Sequence, residues 1–319
     1  MAEGGALGVV QTSRVRFTNR DRVAGEAHMG KQNIKGKLYI VVFLLLAAVI
    51  VFQAFELTAS SQHKRDYLDS YLNLDEKHFI AVGDRALGEG WLDTSTADHG
   101  YVVVASVPEE AMALVVRCGE QEDVFYLPAE GTRAVIPLKW GNGKYEFTLL
   151  QHLSEAEYAL VDEGECVVEI VEEIAAFIRP HIYCWYTKES SCVVESVVLA
   201  QNVAGEEDLV FAVCRWVKQN IAYDQELCDS IRAQGGNGPT PVPDLEKVMA
   251  AGKGICVDQA SLIAAMLRCQ GVPCKIVIGR LAPGQEMHAW NSVYIDGAWR
   301  HLDLGDAVDE VAMEVLKEY

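Results

Sequence analysis

Basic residues are in short supply in this chain: 27 Lys and Arg stand against 46 Asp and Glu, a formal charge of −19 over 319 residues. So acidic a surface repels a phosphate backbone, which excludes nucleic acid as the expected partner. Low-complexity sequence is absent too, and with 50% hydrophobic residues the chain can bury two ordinary cores. No loop carries the spaced Asp/Asn pattern that cages calcium, so no metal and no cofactor are expected.

The basic charge that is present gathers at the start. Residues 1–37 hold seven Lys and Arg (Arg14, Arg16, Arg20, Arg22, Lys31, Lys35, Lys37) against three acids, with no apolar period. Such a segment cannot bury enough surface to offset its ordering entropy, and a disordered tail is expected. Leu38–Phe55 is an apolar run broken only by Gln53, close to the ~20 residues that cross a bilayer. Five Lys/Arg lie in the twenty residues before it, and only Lys64 and Arg65 in the twenty after it. That asymmetry predicts a single transmembrane helix with the tail cytoplasmic and everything after Phe55 outside, at a cell membrane. A cleaved signal peptide, with Thr58-Ala59-Ser60 as the small-residue site, is the alternative. Tyr67, Leu68, Tyr71 and Leu72 at helical spacing then predict a stalk over 56–77.

From about His78 short β-prone runs take over: 101–107, 113–118, 124–127, 133–138, 144–150, 158–161 and 165–170, separated by turns such as Gly141-Asn142-Gly143. They predict an all-β sandwich over 78–175. Arg179-Pro180 marks a boundary, beyond which Val193–Leu199 and Asp208–Ile221 read as helices. Gln234–Pro243 is a Gly- and Pro-rich loop, Asp244 caps a further helix, and Val308, Val311, Val315 and Leu316 predict a terminal helix over 306–319.

Gly254–Asp303 gathers the chemistry. From Cys256, the residues Ala260, Ile263, Ala264 and Leu267 lie on one helical face, Gly254 permits a tight entry, and Gly271 with Pro273 supplies the stop. Cys256 thus sits in the first turn, where free N–H groups favour the thiolate and Asp258 opposes it. Lys275–Arg280 reads as a buried strand. His288–Ile295 and Ala298–Asp303 flank Asp296-Gly297, a type I′ turn signal. With that turn His288 and Asp303 become diagonal neighbours on one face, roughly 7–8 Å apart in backbone, within reach of a side-chain hydrogen bond. A helix-start cysteine or a strand histidine alone is ordinarily a packed residue. Together with Asp303 they form the inventory of a thiol–imidazole–carboxylate site. His301 shares a face with Asp303 and competes for the histidine role.

These residues resemble a family. Gly254-Ile255-Cys256 leading into Ala264-Ala265-Met266-Leu267-Arg268, then Gly271-Val272-Pro273, His288-Ala289-Trp290, Val293-Tyr294-Ile295-Asp296-Gly297 with Trp299, and Asp303 are similar to the transglutaminase-like superfamily core. The likeness covers about Val197–Gly305. It implies an α+β fold with a papain-like core over 180–305, Cys256 as nucleophile, His288 as base and acid, and Asp303 orienting the imidazole. One departure is local: bacterial members often follow the aspartate with Pro-Thr, where this chain has Leu304-Gly305. The preceding strands resemble the immunoglobulin-like modules of bacterial, membrane-anchored surface proteins, mostly in architecture.

The remaining cysteines are Cys118 and Cys166 in the first domain, and Cys184, Cys192, Cys214, Cys228, Cys269 and Cys274 in the second. Even numbers per domain suit disulfides in an oxidising exterior, and packed free thiols are the alternative. Three functions stay open: an enzyme attacking amide carbonyls of a protein, peptide or cell-wall peptide, with hydrolysis favoured over cross-linking; a non-catalytic surface binding module; and a thiol adaptor.

Overall fold

The computed structural model describes residues 74–80, 90–104, 112–127, 134–154, 157–170, 174–233, 240–282, 286–308 and 313–319. The basic tail, the apolar run Leu38–Phe55 and most of the expected stalk lie outside them. Among the described residues no helix is long and apolar enough to cross a membrane.

The first half holds two antiparallel sheets. One is β1 (Leu92–Asp93), β2 (Tyr101–Val104) and β5 (Ala134–Pro137). The other has the order β4 (Gln121–Leu127), β3 (Met112–Cys118), β6 (Gly143–Ser154) and β7 (Glu157–Val168). The alternation in β6 buries Tyr145, Phe147 and Leu149 and leaves Lys144 and Glu146 in water, as a half-buried strand requires. Two expectations are corrected. Leu92–Asp93 is a strand, and 158–161 with 165–170 are one strand, because β6 pairs straight through Asp162, Glu163 and Gly164. Gly164 also sets the approach of the two sheets: a Cβ there would stand 2.8 Å from Leu92 Cδ2.

The second half is helical, then β. Its helices are α1 (Ser191–Ala200), α2 (Glu206–Asn220), α3 (Gln225–Ala233), α4 (Leu245–Ala251) and α5 (Cys256–Arg268). Its five-stranded antiparallel sheet runs β13 (Asp306–Ala307), β12 (Ala298–Asp303), β11 (His288–Ile295), β10 (Cys274–Arg280) and β14 (Glu314–Glu318). A short parallel pair, β8 (Ala222–Tyr223) with β9 (Lys253–Gly254), precedes α5. The helix beginning at Cys256 is covered almost all round, not on one face: every residue from Val257 to Arg268 is buried, between the sheet and α1 and α2. The helix α3 was not foreseen.

Among the described residues the terminal helix expected over 306–319 is not formed. Asp306–Ala307 turns back on Asp303, and Glu314–Glu318 pairs with β10, where Ile276 and Tyr319 exchange both backbone hydrogen bonds at 2.7 and 2.9 Å. The helical period of the valines was a weak preference, overridden by the unpaired backbone edge of β10. Fully buried Arg268 ties this strand to α5. Its guanidinium donates to the carbonyls of Cys274 at 2.8 Å, Arg179 at 2.9 Å and Tyr319 at 2.9 Å.

The halves are not independent beads, since Tyr67–Tyr319 forms one unit. Buried Asp123 of β4 accepts from Lys139 at 2.5 Å and from Lys317 of β14 at 2.7 Å, and Lys139 lies 4.1 Å from the centre of the Tyr319 ring. Burial raises the proton affinity of Asp123, and the two ammonium groups outweigh it, so the carboxyl stays below its ordinary range. The end of the expected stalk packs as well. Leu74 is buried, Tyr186 donates to the His78 carbonyl at 2.9 Å, and a Cβ on Gly271 would stand 2.6 Å from the His78 ring.

Candidate active site

The thiol is placed by the turn before it. Tyr223 pairs with Gly254 in β8–β9, and Asp224 donates its N–H to the Gly254 carbonyl at 3.0 Å, so the chain enters α5 from a fixed strand. Asp258 reaches back to accept the Ile255 N–H at 2.9 Å, the return half of a capping box. A side chain on Gly254 would meet Asp258 Cβ at 2.8 Å, which is why glycine stands there. Burial pushes the Asp258 carboxyl up, against the pull of that N–H. Its observed part is structural.

The hairpin follows the expected register. Asp296 and Gly297 both have positive φ, 53° and 78°, and Ile295 pairs with Ala298 through to Asn291 with Leu302. His288 Nε2 lies 3.0 Å from Asp303 Oδ2, both side chains about one-third exposed, and the Cys256 thiol is near enough to raise the proton affinity of the same imidazole. With Nε2 engaged by Asp303, Nδ1 is the nitrogen left for sulfur. The Asp303 bond, then the neighbouring Cys256 sulfur, raise the pKa of His288 from 6.5 to about 10, against desolvation. The three residues singled out from sequence are therefore brought together.

His301 is not at the thiol. Its Nδ1 accepts from Trp290 Nε1 at 3.0 Å. Leu304 and Gly305, in the place of Pro-Thr, both take positive φ, 47° and 91°, and reverse the strand so that Asp303 pairs with Asp306. Asp306 thus lies in a short returning strand and not in the terminal helix expected there. Its exposed carboxylate takes Lys218 at 2.9 Å.

A small cleft beside the thiol is lined by Cys256, Gln259, Ala260, Ile263, Trp290 and Asp303, among others. Its walls are held by buried amides: Asn291 donates to the Ala260 carbonyl at 2.9 Å, and Gln259 to the Ile221 carbonyl at 2.9 Å. Tyr223 escaped the sequence reading, which ended the preceding helix at Ile221. Its hydroxyl donates to Cys228 Sγ at 3.3 Å, and its phenol is pushed up by burial and by the neighbouring thiols Cys228 and Cys256. No local pattern marks it, because the β8–β9 pairing that brings it there is non-local.

All nine cysteines are free. The expected disulfides are not formed, for a geometric reason in the first half. Cys118 and Cys166 pair with opposite sides of Tyr145, two strand spacings apart, or roughly 9–10 Å and beyond disulfide reach. Burial pushes the thiol of Cys184 up to about 11 and those of Cys214 and Cys269 up to about 12. Among the described residues no group of three or more His, Cys, Asp or Glu could hold a metal.

Residues 197–304 match the family model of the transglutaminase-like superfamily. They form a transglutaminase-like domain. The kyphoscoliosis peptidase of Mus musculus is 29% identical over 115 residues, which cover 33% of this chain and 16% of that protein. The crystal structure of a TGase is 26% identical over 35% of this chain and 29% of that one, with a TM-score of 0.30. A candidate cysteine protease from Cytophaga hutchinsonii is 14% identical over 69% and 78%, with a TM-score of 0.36. This chain spans less than a third of the length of the first two. The transglutaminase-like domain contains Cys256, His288 and Asp303, and its limits nearly coincide with those expected from the motifs.

Proposed function

We propose that the transglutaminase-like domain carries out thiol-dependent acyl transfer on amide bonds, with hydrolysis of a protein or peptide as its main outcome. The observation that supports this best is His288 hydrogen-bonded to Asp303 beside the Cys256 thiol, with its proton affinity raised by both. The Cys256 thiolate adds to the amide carbonyl carbon, at the helix N-terminus whose free N–H groups face the developing oxyanion. His288 gives its proton to the leaving amine as the C–N bond breaks, which leaves a thioester. Neutral His288 then takes a proton from water, whose oxygen attacks the thioester and releases the acid and the thiol. Asp303 keeps the imidazole oriented and stabilises its cation. The Tyr223 hydroxyl, weakly held by a thiol acceptor, is a second donor on the rim of Cys256.

The setting is a separate proposal. The charge asymmetry around Leu38–Phe55 supports a single-pass anchor with the domain outside the cell, where protein and cell-wall peptides are the accessible substrates. The two sheets of the first half, in that setting, serve as an immunoglobulin-like spacer. The free cysteines lend no support to an oxidising exterior.

The test of the reaction is labelling with electrophilic peptide probes, followed by turnover of peptide libraries with and without added primary amines. Loss of both in Cys256→Ala, with the fold intact, is the expected result. Turnover that survives Cys256→Ala refutes the reading, and amine incorporation exceeding hydrolysis reverses the stated outcome.

A further inference from the structure

We infer that His301 is a positioning residue of this site, holding the Trp290 indole against the His288–Asp303 pair through the bond from Trp290 Nε1–H to His301 Nδ1. The inference rests on the thiol–imidazole reading above and deepens it.

The hairpin geometry carries the argument. In the register of β11 and β12, Ser292 faces His301 and Asn291 faces Leu302, so His288 and Trp290 would face Gly305 and Asp303. Neither side-chain bond follows that register. His288 bonds Asp303 and Trp290 bonds His301, each displaced by the same two residues and each 3.0 Å long. Residues 288 and 290 share one face of β11, and 301 and 303 share that face of β12. The same diagonal rung is therefore built twice, side by side, once for the imidazole and once for the indole.

The second rung bears on the first. Trp290 is 1% exposed, whereas the side chains of His288 and Asp303 are about one-third exposed, and the indole plane lies within 18° of the His288 ring with centroids 6.4 Å apart. The indole thus closes the inner side of the pair and leaves the outer side open. An indole N–H only donates, and burying it without an acceptor is costly, so the acceptor decides where the ring settles. Without Nδ1 of His301, the ring turns toward another acceptor and water reaches the pair. Charge interactions there weaken as the local dielectric rises. The titratable groups facing His288 are Asp303 from β12 and Cys256 from α5, while Trp290 packs beside it from β11. Asp306 is turned away to Lys218.

The experiment needs no substrate. Iodoacetate is drawn to a thiolate beside an imidazolium, so its rate of alkylating Cys256 falls when His288 loses its proton, and peptide mass spectrometry follows that rate against pH. In the unaltered chain the fall is expected near 10. In His301→Leu it moves down by about one pH unit, a tenfold change in the proton affinity of His288. His301→Gln, whose Oε1 can accept the indole N–H, restores most of it. Trp290→Phe gives the same displacement, and His301→Leu adds nothing in that background. Thermal unfolding curves are matched throughout, and His301→Met is read instead if His301→Leu does not fold. An unmoved fall in the variant lacking the acceptor, a glutamine variant no better than leucine, or additive effects of the two substitutions overturns the inference. A Cys256 no more reactive than the other thiols in the unaltered chain is a different outcome, and it overturns the underlying reading instead.

Discussion

Replacing Asp303 by Asn removes a charge while keeping a group of the same shape 3.0 Å from His288 Nε2. The Asp303 bond is the largest cause of the raised His288 pKa, so the substitution lowers it from about 10 toward the ordinary 6.5. Two losses follow, and pH separates them. If the value falls to about 7, only roughly a tenth of His288 is protonated at pH 8, a tenfold loss that disappears near pH 6. Loss of orientation and of cation stabilisation acts at every pH and costs about a hundredfold to ten-thousandfold in turnover. The assay is a pH profile of peptide turnover from pH 5 to 11 beside an unfolding curve at each pH. The profile of Asp303→Asn should be lower throughout and should lose its alkaline limb early. Asp306→Asn, whose exposed carboxylate takes Lys218 and lies away from His288, should reproduce the unaltered profile. An alkaline limb unchanged in Asp303→Asn, or a collapse of activity in Asp306→Asn, refutes the reasoning.

Other outcomes are open to direct measurement. Limited iodoacetamide near neutral pH should modify Cys256 before the buried thiols Cys184, Cys214 and Cys269, whose proton affinities are raised; peptide mapping that finds Cys214 labelled equally fast removes the case for activation. The raised His288 pKa also contributes stability that is complete below about 6.5 and lost as pH rises through about 10, so the melting-temperature gap between the unaltered chain and Asp303→Asn should be widest near pH 6 and close above 10. Gly279→Ala would set a Cβ 2.0 Å from the Glu314 carbonyl, displacing β14; a fall in stability of about 2 kcal/mol or more is expected in denaturant unfolding, and none would show that β14 yields freely. Protease added to intact cells should remove everything after Phe55; protection of the Cys256 domain with digestion of residues 1–37 would reverse the proposed topology.

The local chain determined a good deal by itself. Asp296-Gly297 demands a type I′ turn, that turn sets the register, and the register puts His288 diagonal to Asp303, so the pair was legible from a few adjacent residues. The apolar spacing after Cys256, bounded by Gly254 and Gly271, likewise marked α5 and its first-turn thiol. Only the tertiary structure decided what depends on partners far along the chain. Val311, Val315 and Leu316 have helical spacing, yet 314–318 is a strand because the open edge of β10 takes it up. Tyr223 is held beside the entry to α5 by a parallel pair with Gly254, thirty-one residues away, and Arg268 is buried because three distant carbonyls converge on it. Even His301 looked like a rival for the base until Trp290 supplied its bond. Turn chemistry and helix periodicity act within a few residues and are written into the sequence. The satisfaction of an edge strand or a buried charge is settled by whichever groups the folded chain brings near, and sequence spacing carries no record of that.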